Sequence, residues 1–326
     1  MYSPEQCSFL IEEQIKQLAI GNQTPAGLYE PIDYVLAAGG KRVRPVLTLM
    51  ACNLFSDDIG DALTPAIALE VFHNFTLMHD DVMDRADVRR NRPTVHKRWN
   101  ESTAILSGDA MMILAYRYIC SAPSGIVSAL LDIFTRTALE VCEGQQYDMD
   151  FEQRTDVTID EYLQMIRLKT AVLLAACLKI GAICGGANAA NAESLYHFGI
   201  SLGLAFQIQD DWLDVYADPD VFGKAIGGDI MSGKKTFLLL TACEKADGKT
   251  RNELNELLAN IEISADEKVS RVKAIYDRLE VSDRAQEIMD NYRQQAMSHL
   301  REVVVPNESR KAILENFTVK LFKREK

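Results

Sequence analysis

Proline is scarce in this sequence and unevenly placed. Only nine of the 326 residues are proline, and none lies between Pro123 and Pro219. Because proline breaks helices, its absence over an interval far longer than an average helix favours long uninterrupted helices. Runs that alternate Val, Ile or Thr with polar residues are also absent, as is an Asn-Gly hairpin signal. These absences argue against a β fold.

The sequence also lacks a net positive charge, closely paired cysteines and long apolar runs. The 35 Lys and Arg residues against 47 Asp and Glu residues give a net charge of −12, which argues against nucleic acid as a partner. None of the seven cysteines forms a CxxC pair, so we expect reduced, core-filling thiols in a cytoplasmic protein. The longest apolar run, Ala171–Leu178, is too short to span a membrane, and the N-terminal segment does not resemble a signal peptide.

Apolar residues are abundant and recur with the period of a helix. With 48% hydrophobic and 25% charged residues, the chain can bury a large core. Val127, Leu130, Phe134, Ala138 and Val141 are three or four positions apart, which is typical of an α-helix. We therefore predict an all-α fold. The predicted helices cover residues 4–19, 27–38, 43–56, 62–84, 95–106, 108–121, 125–150, 159–184, 190–217, 232–246, 250–260, 264–279, 281–303 and 307–323.

The domain organisation follows from what separates the motifs. A length of 326 residues would by itself suggest about two domains. However, no linker rich in Pro, Gly or Ser divides the chain, and the two most informative motifs lie one in each half. We therefore predict a single domain, residues 1–326, with both motifs facing one cavity.

Two Asp-rich motifs carry the clearest chemical signal, HDDVMD from His79 to Asp84 and QDDWLD from Gln209 to Asp214. Residues i and i+4 of a helix share a face, so each motif presents two carboxylates whose repulsion a cation would relieve. Oxygen-only ligands favour magnesium, which typically bridges carboxylates to phosphate, so the motifs predict a phosphorylated ligand. One such motif would also fit a solvated helix face, but both copies follow apolar segments, FHNFTLM and GLAFQIQ.

Basic residues follow a double glycine and both Asp-rich motifs. The segment GGKRVRP, residues 39–45, offers backbone amides and a helix start near Pro45, where an anion can bind. Arg89 and Arg90 follow the first Asp-rich motif, and Lys224 and Lys234 follow the second. Each cluster alone also fits a solvated loop. Their positions beside the carboxylates predict that they bind a small anion.

In this order, the motifs resemble those of the trans-prenyltransferases, the polyprenyl diphosphate synthase family. The matching features are GGKRxRP, DDxxD with RR five residues on, Lys169-Thr170, FQIQDDxLD, GKxxGGD and a basic C-terminus. The resemblance extends from about Gly39 to Lys326. It implies an all-helical bundle in which both Asp-rich motifs face a deep central cavity, commonly in a homodimer. It also implies that an allylic diphosphate is elongated by condensation with isopentenyl diphosphate.

The resemblance also implies functions for individual positions. Ligands of several magnesium ions that hold the allylic diphosphate would be Asp80, Asp81, Asp84 and Asp210, supported by Asp211 and Asp214. Residues that bind the allylic diphosphate oxygens would be Arg89, Lys169, Lys224 and Lys234. The isopentenyl diphosphate site would contain Lys41, Arg44, His73, Arg90, Phe206 and Arg324. Polar groups near the developing cation would be Thr170, Gln145 and Gln207.

The residues upstream of Asp80 bear on the length of the product. On a helix, Phe75 lies roughly 7 Å and Phe72 roughly 12 Å from Asp80 along the axis. In the resembling family, an aromatic residue at the fifth position before the motif, with a small one such as Thr76 at the fourth, is a short-chain pattern. We expect a fifteen- to twenty-carbon product, with geranylgeranyl diphosphate favoured over farnesyl diphosphate. Both phenylalanines also fit plain core positions.

Two other functions fit parts of the sequence. A terpene cyclase would use the same metal-assisted ionisation, but it has no second diphosphate to bind, so GGKRVR and Arg90 would have no purpose. A non-catalytic partner subunit would be expected to lose one Asp-rich motif, and both are intact. Two positions depart from the family pattern: Asn91 replaces a usual Gly, and Leu238 replaces a frequent Pro. Asn tolerates a positive φ, so we expect the loop to be preserved.

Overall fold

The chain folds into helices, and the computed structural model describes residues 1–217 and 226–322. The first helices are α1 (Pro4–Gln17), α2 (Ala26–Leu36), α3 (Val43–Phe55), α4 (Gly60–Met83), α5 (Val95–Arg98), α6 (Glu101–Ile119) and α7 (Val127–Gln153). They are followed by α8 (Ile159–Ile166), α9 (Val172–Cys184), α10 (Ala189–Tyr216), α11 (Gly228–Ser232), α12 (Phe237–Lys245), α13 (Gly248–Ala259), α14 (Ala265–Arg278), α15 (Val281–Glu302) and α16 (Ser309–Phe322). A 3-10 turn covers Ile20–Asn22. The predicted all-α fold is confirmed.

Capping residues set several helix starts, and they correct two predicted boundaries. The predicted helices 95–106 and 108–121 are wrong, because the side chain of Asn100 accepts a hydrogen bond from the Thr103 amide and so starts α6 there. The predicted helix 232–246 is also interrupted. Gly233 ends α11 with a φ of 66°, and the Thr236 hydroxyl caps the start of α12.

A short hairpin in the arginine loop was not predicted. Strand β1 (Val88–Arg89) pairs antiparallel with β2 (Arg92–Pro93). The two residues of the turn, Arg90 and Asn91, have φ values of 51° and 60°, as a tight hairpin turn of this kind requires. Asn91 therefore adopts the left-handed conformation expected of the glycine that it replaces. The hairpin could not be predicted because its turn residues are Arg-Asn instead of Asn-Gly.

The predicted helix 159–184 contains a π-helical segment at its centre. Residues Arg167–Ala171 form this segment between α8 and α9, and it includes the Lys169-Thr170 pair. Gly144 of α7 lies against it, since a Cβ atom at that position would be 2.3 Å from the Lys169 backbone nitrogen. π-helical turns are rare and frequently occur at functional sites.

The contacts of the described residues group into two compact units. Unit 1 comprises Met1–Arg136, Ala176–Tyr196 and Glu302–Phe317, and unit 2 the described residues of Thr137–Ala175, His197–Arg301 and Thr318–Lys326. In unit 1, α4 packs on α6 and α3, and Phe72 is fully buried. In unit 2, the core contains Phe237 and Tyr276. The single domain around one cavity stays a prediction.

The cysteines are only partly in the core. Cys7, Cys52 and Cys177 are buried as predicted, but Cys120 and Cys142 are exposed, which corrects the prediction for these two. Cys120 is the residue at which α6 ends, and Cys142 lies on the solvent side of α7, so neither reaches the interior. All seven described cysteines are free thiols.

The long helices contain charged residues, which disfavour insertion into a membrane. In α10, for example, the motif Gln209–Asp214 places three carboxylates in the last two turns. Within residues 1–217 and 226–322, no helix combines the length and the apolar character that crossing a bilayer needs.

Candidate active site

The first Asp-rich motif lies at the end of α4, in unit 1. Asp81 is buried and accepts a 2.6 Å hydrogen bond from Arg89 Nε, while Asp80 lies 3.7 Å from Arg89 Nη2. Burial raises the pKa of the Asp81 carboxyl, and the Arg89 guanidinium opposes this effect. Asp84 is the exposed residue at which α4 ends. The hairpin thus places Arg89 over the first two carboxylates of the motif.

The glycine-rich turn 39–42 places two of the predicted anion-binding residues beside α4. Helix α3 begins at Val43, the first residue of the predicted helix 43–56, and Arg42 takes a left-handed conformation with a φ of 45° as its cap residue. Lys41 is exposed. Arg44, in the first turn of α3, donates a 3.0 Å hydrogen bond from Nη1 to His73 Nε2.

The imidazole of His73 is held in its neutral form. Burial and the nearby arginines, Arg44 first among them, lower the pKa of His73 well below its usual value. A neutral ring can accept the Arg44 hydrogen bond on Nε2, whereas a protonated ring could not. The positive charge in this pair therefore belongs to Arg44.

Arg90 joins the turn to the first Asp-rich motif. Its Nη1 donates to the Gly39 carbonyl, and its guanidinium lies against Gly40, where a Cβ atom would be 3.1 Å away. Burial lowers the pKa of Arg90, although Glu70 acts in the opposite direction. Arg90 and Asp81 line the same small cavity. Unit 1 thus brings together Arg44, His73 and Arg90 of the predicted isopentenyl diphosphate site.

In the second Asp-rich motif, Asp211 binds protein groups on both of its oxygens. Oδ2 accepts hydrogen bonds from Tyr162 OH at 2.5 Å and the Phe237 amide at 3.2 Å, and Oδ1 accepts one from Gln207 Nε2 at 3.3 Å. Burial, followed by repulsion from Asp229, raises the pKa of Asp211 to about 7. This carboxylate ties α10 to α8 and to the start of α12.

Asp229, which was not among the predicted site residues, is part of the same acidic cluster. Its amide donates a 3.0 Å hydrogen bond to Asp214 Oδ2 at the start of α11. Burial raises its pKa to about 6, opposed by Lys234 and reinforced by Asp214, Asp148 and Asp210. The sequence did point to this residue, because Asp229 is the last residue of the GKxxGGD motif that supports the family resemblance. No function was predicted for it.

The π-helical segment directs two predicted residues to partners in unit 2. Lys169 Nζ lies 2.5 Å from Asp148 Oδ2, an acidic residue that was also not predicted. The Thr170 hydroxyl donates a 3.1 Å hydrogen bond to Gln207 Oε1. Because the Gln207 amide also donates to Asp211, both of its polar groups have fixed directions. Thr170 and Gln207, two of the three residues matched to the developing cation, thus lie together.

The remaining predicted residues of unit 2 are partly buried or undescribed. Gln145 lies on α7 and Phe206 on α10, both half-buried. The ammonium of Lys234 is close enough to lower the pKa of Asp229. Two predicted positions, Lys224 and Arg324, lie outside the described residues.

The acidic cluster of unit 2 has the donor atoms that magnesium prefers. All of its acidic groups are carboxylates, and burial, reinforced by their mutual repulsion, raises the pKa of Asp229 and Asp211. A bound divalent cation would remove that repulsion. Among the described residues, no three carboxylates, imidazoles or thiols already converge on one point, since Asp148, Asp211 and Asp214 accept hydrogen bonds from protein groups. The residues fit magnesium by their chemistry.

The predicted chain-length residues form part of an aromatic row on α4. Phe72 is fully buried and packs edge-on against Phe134, with ring centroids 5.2 Å apart. Phe75 lies 5.6 Å from Phe72 and 4.8 Å from the His79 ring. Thr76 is smaller than the phenylalanines of the row, and its hydroxyl donates to the His73 carbonyl of the same helix.

The His79 ring lies next to Phe75 at the end of this row and is held by contacts with α6. Its Nε2 donates a 3.0 Å hydrogen bond to the Ile105 carbonyl. Gly108 of α6 lies directly against the ring, because a Cβ atom there would be 2.1 Å from Nε2. The absence of a side chain at Gly108 therefore lets α6 approach α4 at the level of Phe75.

Comparisons with known proteins agree with this geometry. The family model described as polyprenyl synthetase matches residues 25–279. A short chain isoprenyl diphosphate synthase of Methanothermobacter thermautotrophicus is 38% identical over 308 residues, covering 94% of this chain and 93% of the relative. A geranylgeranyl diphosphate synthase of Methanosarcina mazei is 44% identical, covering 68% of this chain and 69% of the relative.

Solved structures give the same result. The crystal structure of geranylgeranyl pyrophosphate synthetase from Pyrococcus horikoshii has a TM-score of 0.92 and 34% sequence identity, covering 99% of this chain and 97% of that one. The similarity therefore extends over almost the whole of both chains. The family inferred from the motifs is confirmed: the chain belongs to the polyprenyl synthetase family and is a prenyltransferase.

Proposed function

We propose that the protein is a short-chain trans-prenyltransferase that condenses isopentenyl diphosphate with an allylic diphosphate, and that its main product is geranylgeranyl diphosphate. The observation that carries the proposal is a basic site around Arg44, His73 and Arg90 in a chain that also contains two carboxylate clusters. A cyclase, which binds a single diphosphate, would need only the carboxylate clusters.

The allylic diphosphate is proposed to be bound in two ways, by magnesium ions on the carboxylates and directly by basic side chains. Magnesium ions held by Asp80, Asp81, Asp84 and Asp210 would offset the negative charge that develops on the leaving diphosphate. Supporting carboxylates are Asp211, Asp214 and Asp229. Residues proposed to bind the diphosphate oxygens directly are Arg89, Lys169, Lys224 and Lys234.

The reaction breaks one bond and forms one bond. The C–O bond of the allylic diphosphate breaks, and its electron pair leaves with the diphosphate. The double bond of isopentenyl diphosphate then attacks the allylic carbon, and the released diphosphate accepts the proton that is lost. Thr170 and Gln207, fixed by their hydrogen bond, provide oxygen dipoles near the cation, with Gln145 beside them. Apolar side chains such as Phe206 keep water from the cation.

The remaining substrate, isopentenyl diphosphate, is proposed to bind at the basic site of unit 1. Arg44 and Arg90 would bind its diphosphate, together with the exposed Lys41. His73 takes part indirectly by holding Arg44 through its Nε2. Arg324, near the C-terminus, is a further proposed contact.

The product length is proposed to depend on α4. Going from Asp80 towards the start of α4, Thr76 is followed by Phe75 and then by Phe72, whose ring lies 5.6 Å from that of Phe75. We propose that these two rings form the wall that limits the growing chain. The Methanosarcina mazei relative, named geranylgeranyl diphosphate synthase, is consistent with a twenty-carbon product.

One assay tests this function. The purified protein is incubated with magnesium, isopentenyl diphosphate and each allylic primer, and the product mass is measured. A twenty-carbon diphosphate is the expected product. A cyclic hydrocarbon formed without isopentenyl diphosphate would indicate a cyclase, and no turnover at all would indicate a non-catalytic subunit.

We also propose a cytoplasmic homodimer. The free state of all described cysteines fits a reducing compartment. On α6, Leu106 and Ile113 are 60% and 68% exposed, and their separation of seven residues places them on one side of the helix. Contiguous exposed apolar surface marks protein interfaces, and we assign this side of α6 to contact with a second copy of this chain.

A further inference from the structure

Arg42 stands among the basic residues of the glycine-rich turn but points into the protein. It is only 3% exposed. Its Nη1 donates to Glu70 Oε1 at 2.6 Å, its Nε to Glu12 Oε1 at 2.7 Å and its Nη2 to the Leu36 carbonyl at 2.6 Å. Each nitrogen of the guanidinium thus binds a protein oxygen, and Arg42 has a structural function instead of a ligand-binding one.

Glu70 is the buried partner at the centre of these contacts. It is 2% exposed and lies on α4, one turn before His73 and Asn74. Besides the Arg42 bond, its Oε1 accepts a 3.0 Å hydrogen bond from Asn74 Nδ2. Its charge also acts on Arg90. The Glu70 carboxylate thus acts on two arginines, on Arg42 by direct contact and on Arg90 through its charge.

The backbone at Arg42 explains why such a partner is needed. Its φ of 45° is unfavourable for a residue with a side chain, and such a conformation persists only where the surrounding contacts enforce it. The ion pair with Glu70 and the hydrogen bond to Leu36 supply this restraint. Lys41 and Arg44 lie on either side of this residue, so their directions depend on it.

We propose that Glu70, acting through Arg42, is a positioning residue for isopentenyl diphosphate. It holds the turn 39–42 in the conformation that presents Lys41 and Arg44, and it offsets part of the positive charge of the arginines before the substrate binds. This inference rests on the proposed function, because it takes the basic site of unit 1 to be the isopentenyl diphosphate site.

The first test is Glu70→Gln, which removes the charge and keeps the size of the side chain. The expected result is a rise of roughly tenfold or more in the KM for isopentenyl diphosphate, with less than about a threefold change in the KM for the allylic primer. A variant that was only less stable would lose active protein and leave both KM values unchanged. The ratio of the two KM values is therefore the diagnostic quantity.

A paired variant, Arg42→Met with Glu70→Leu, separates positioning from stability. Replacing both members of a buried ion pair by apolar residues often preserves stability, whereas removing one member does not. We expect the paired variant to unfold at a temperature close to that of the wild type but to keep the raised KM for isopentenyl diphosphate. This measurement remains informative if Glu70→Gln fails to fold.

Arg310→Met is a matched control. Arg310, on α16, also binds a carbonyl oxygen and a carboxylate in unit 1, those of Asn53 and Asp57, but these partners lie at the opposite end of α3 from the turn. It should leave the ratio of the two KM values unchanged. A normal ratio in both the Glu70 and the paired variants would overturn the inference. If the wild type forms no elongated product, the proposed function fails instead.

Discussion

At the scale of single residues, the hydrogen bond between Arg44 and His73 determines the charge of the basic site. Because Arg44 can only donate, His73 Nε2 must accept, and the ring stays neutral. The low pKa of His73 has the same origin, since burial and the arginines both disfavour a second positive charge. Arg44 is thus both oriented and left as the charged member of the pair.

Replacing Arg44 by Ala should separate the two substrates in a kinetic assay. A charge-assisted hydrogen bond to one diphosphate is lost, so the KM for isopentenyl diphosphate should rise roughly tenfold to a hundredfold. The KM for the allylic primer should change far less, because its proposed contacts are Arg89 and the lysines of unit 2. Steady-state kinetics with each substrate varied in turn measures both values. Equal effects on both would mean that the sites are misassigned.

His73 should make the stability of the protein depend on pH. Its folded-state pKa lies below that of the unfolded chain, so below about pH 6.5 the unfolded state binds a proton that the folded state does not. Stability is therefore present above this pH and is lost as the pH falls, by up to about 1.4 kcal/mol per pH unit. His73→Gln keeps an acceptor for Arg44 and should flatten this slope. Urea unfolding at pH 5, 6 and 7 measures it, and an unchanged slope would contradict the prediction.

Residue types in the motifs could be predicted from the sequence, but side-chain directions could not. The pattern GGKRVRP indicates an anion site, yet it does not reveal that Arg42 turns inward to Glu70, which is 28 positions away. Likewise, the two aspartates of QDD look equivalent in the sequence. Only the fold, by bringing Tyr162 to Asp211, makes them different.

At the scale of elements, α4 combines two properties. Its last turn carries the carboxylates of the first Asp-rich motif, and the two turns before it carry the aromatic row of Phe72 and Phe75. Because both lie on one helix, the number of residues between them fixes the distance from the proposed diphosphate-binding carboxylates to the proposed wall of the product cavity. Changes in the row should therefore alter product length without altering the chemistry.

Phe75→Ala should lengthen the product by at least one five-carbon unit. Phe75 is only half-buried, so its truncation should destabilise the protein by less than the about 3–5 kcal/mol typical of a core phenylalanine. The Phe72→Ala, Phe75→Ala pair should give a longer product again, at the full cost for the buried Phe72. Mass spectrometry of the products tests both expectations.

Phe198→Ala offers a control for these variants. Phe198 is fully buried and belongs to α10, not to the aromatic row of α4, so its removal should cost stability without changing product length. An unchanged product from a folded, active Phe75→Ala enzyme would place the wall elsewhere.

The helices themselves could largely be predicted, because their apolar period of three and four is a local property. The exceptions have non-local or conformational causes. Asn100 starts α6 by capping Thr103, and a short hairpin forms where two non-glycine residues accept positive φ values. The π-helical turn at 167–171 could not be predicted from the apolar pattern, because one added residue changes the spacing of the apolar residues only slightly.

At the scale of the whole molecule, each compact unit contains one Asp-rich motif with its own cationic partners. Asp80 and Asp81 have Arg89, and the cluster around Asp229 has Lys234. Asp80 and Asp210 are only half-buried, so loss of either carboxylate or of the metal should affect turnover more than folding.

Asp80→Ala and Asp210→Ala should each reduce turnover on the order of a hundredfold or more, because the proposed reaction needs both carboxylate clusters. Far-ultraviolet circular dichroism should remain helical in both. Removing magnesium with a chelator should have the same effect on the wild type and should be reversible. Near-normal turnover in either variant would refute the ligand assignment.

The proposed dimer should depend on the exposed side of α6. Leu106→Asp with Ile113→Asp should yield monomers at micromolar concentration, because buried unpaired charges destabilise an apolar interface. Light scattering coupled to size-exclusion chromatography measures the mass. Ile261→Asp is the control, since this residue is 93% exposed and lies outside any helix, and it should leave the mass unchanged. A wild-type monomer would contradict the proposal directly.

The π-helical turn has a consequence for how this enzyme can change over generations. Deleting one codon within 167–171 would let α8 and α9 join as an ordinary α-helix. The deletion would also rotate the two halves by about 100° relative to each other and turn Lys169 or Thr170 away from its partner. A single in-frame deletion would therefore misplace Lys169 and Thr170, which are proposed to act in the reaction, and would also rotate the buried faces of α8 and α9 away from their present neighbours.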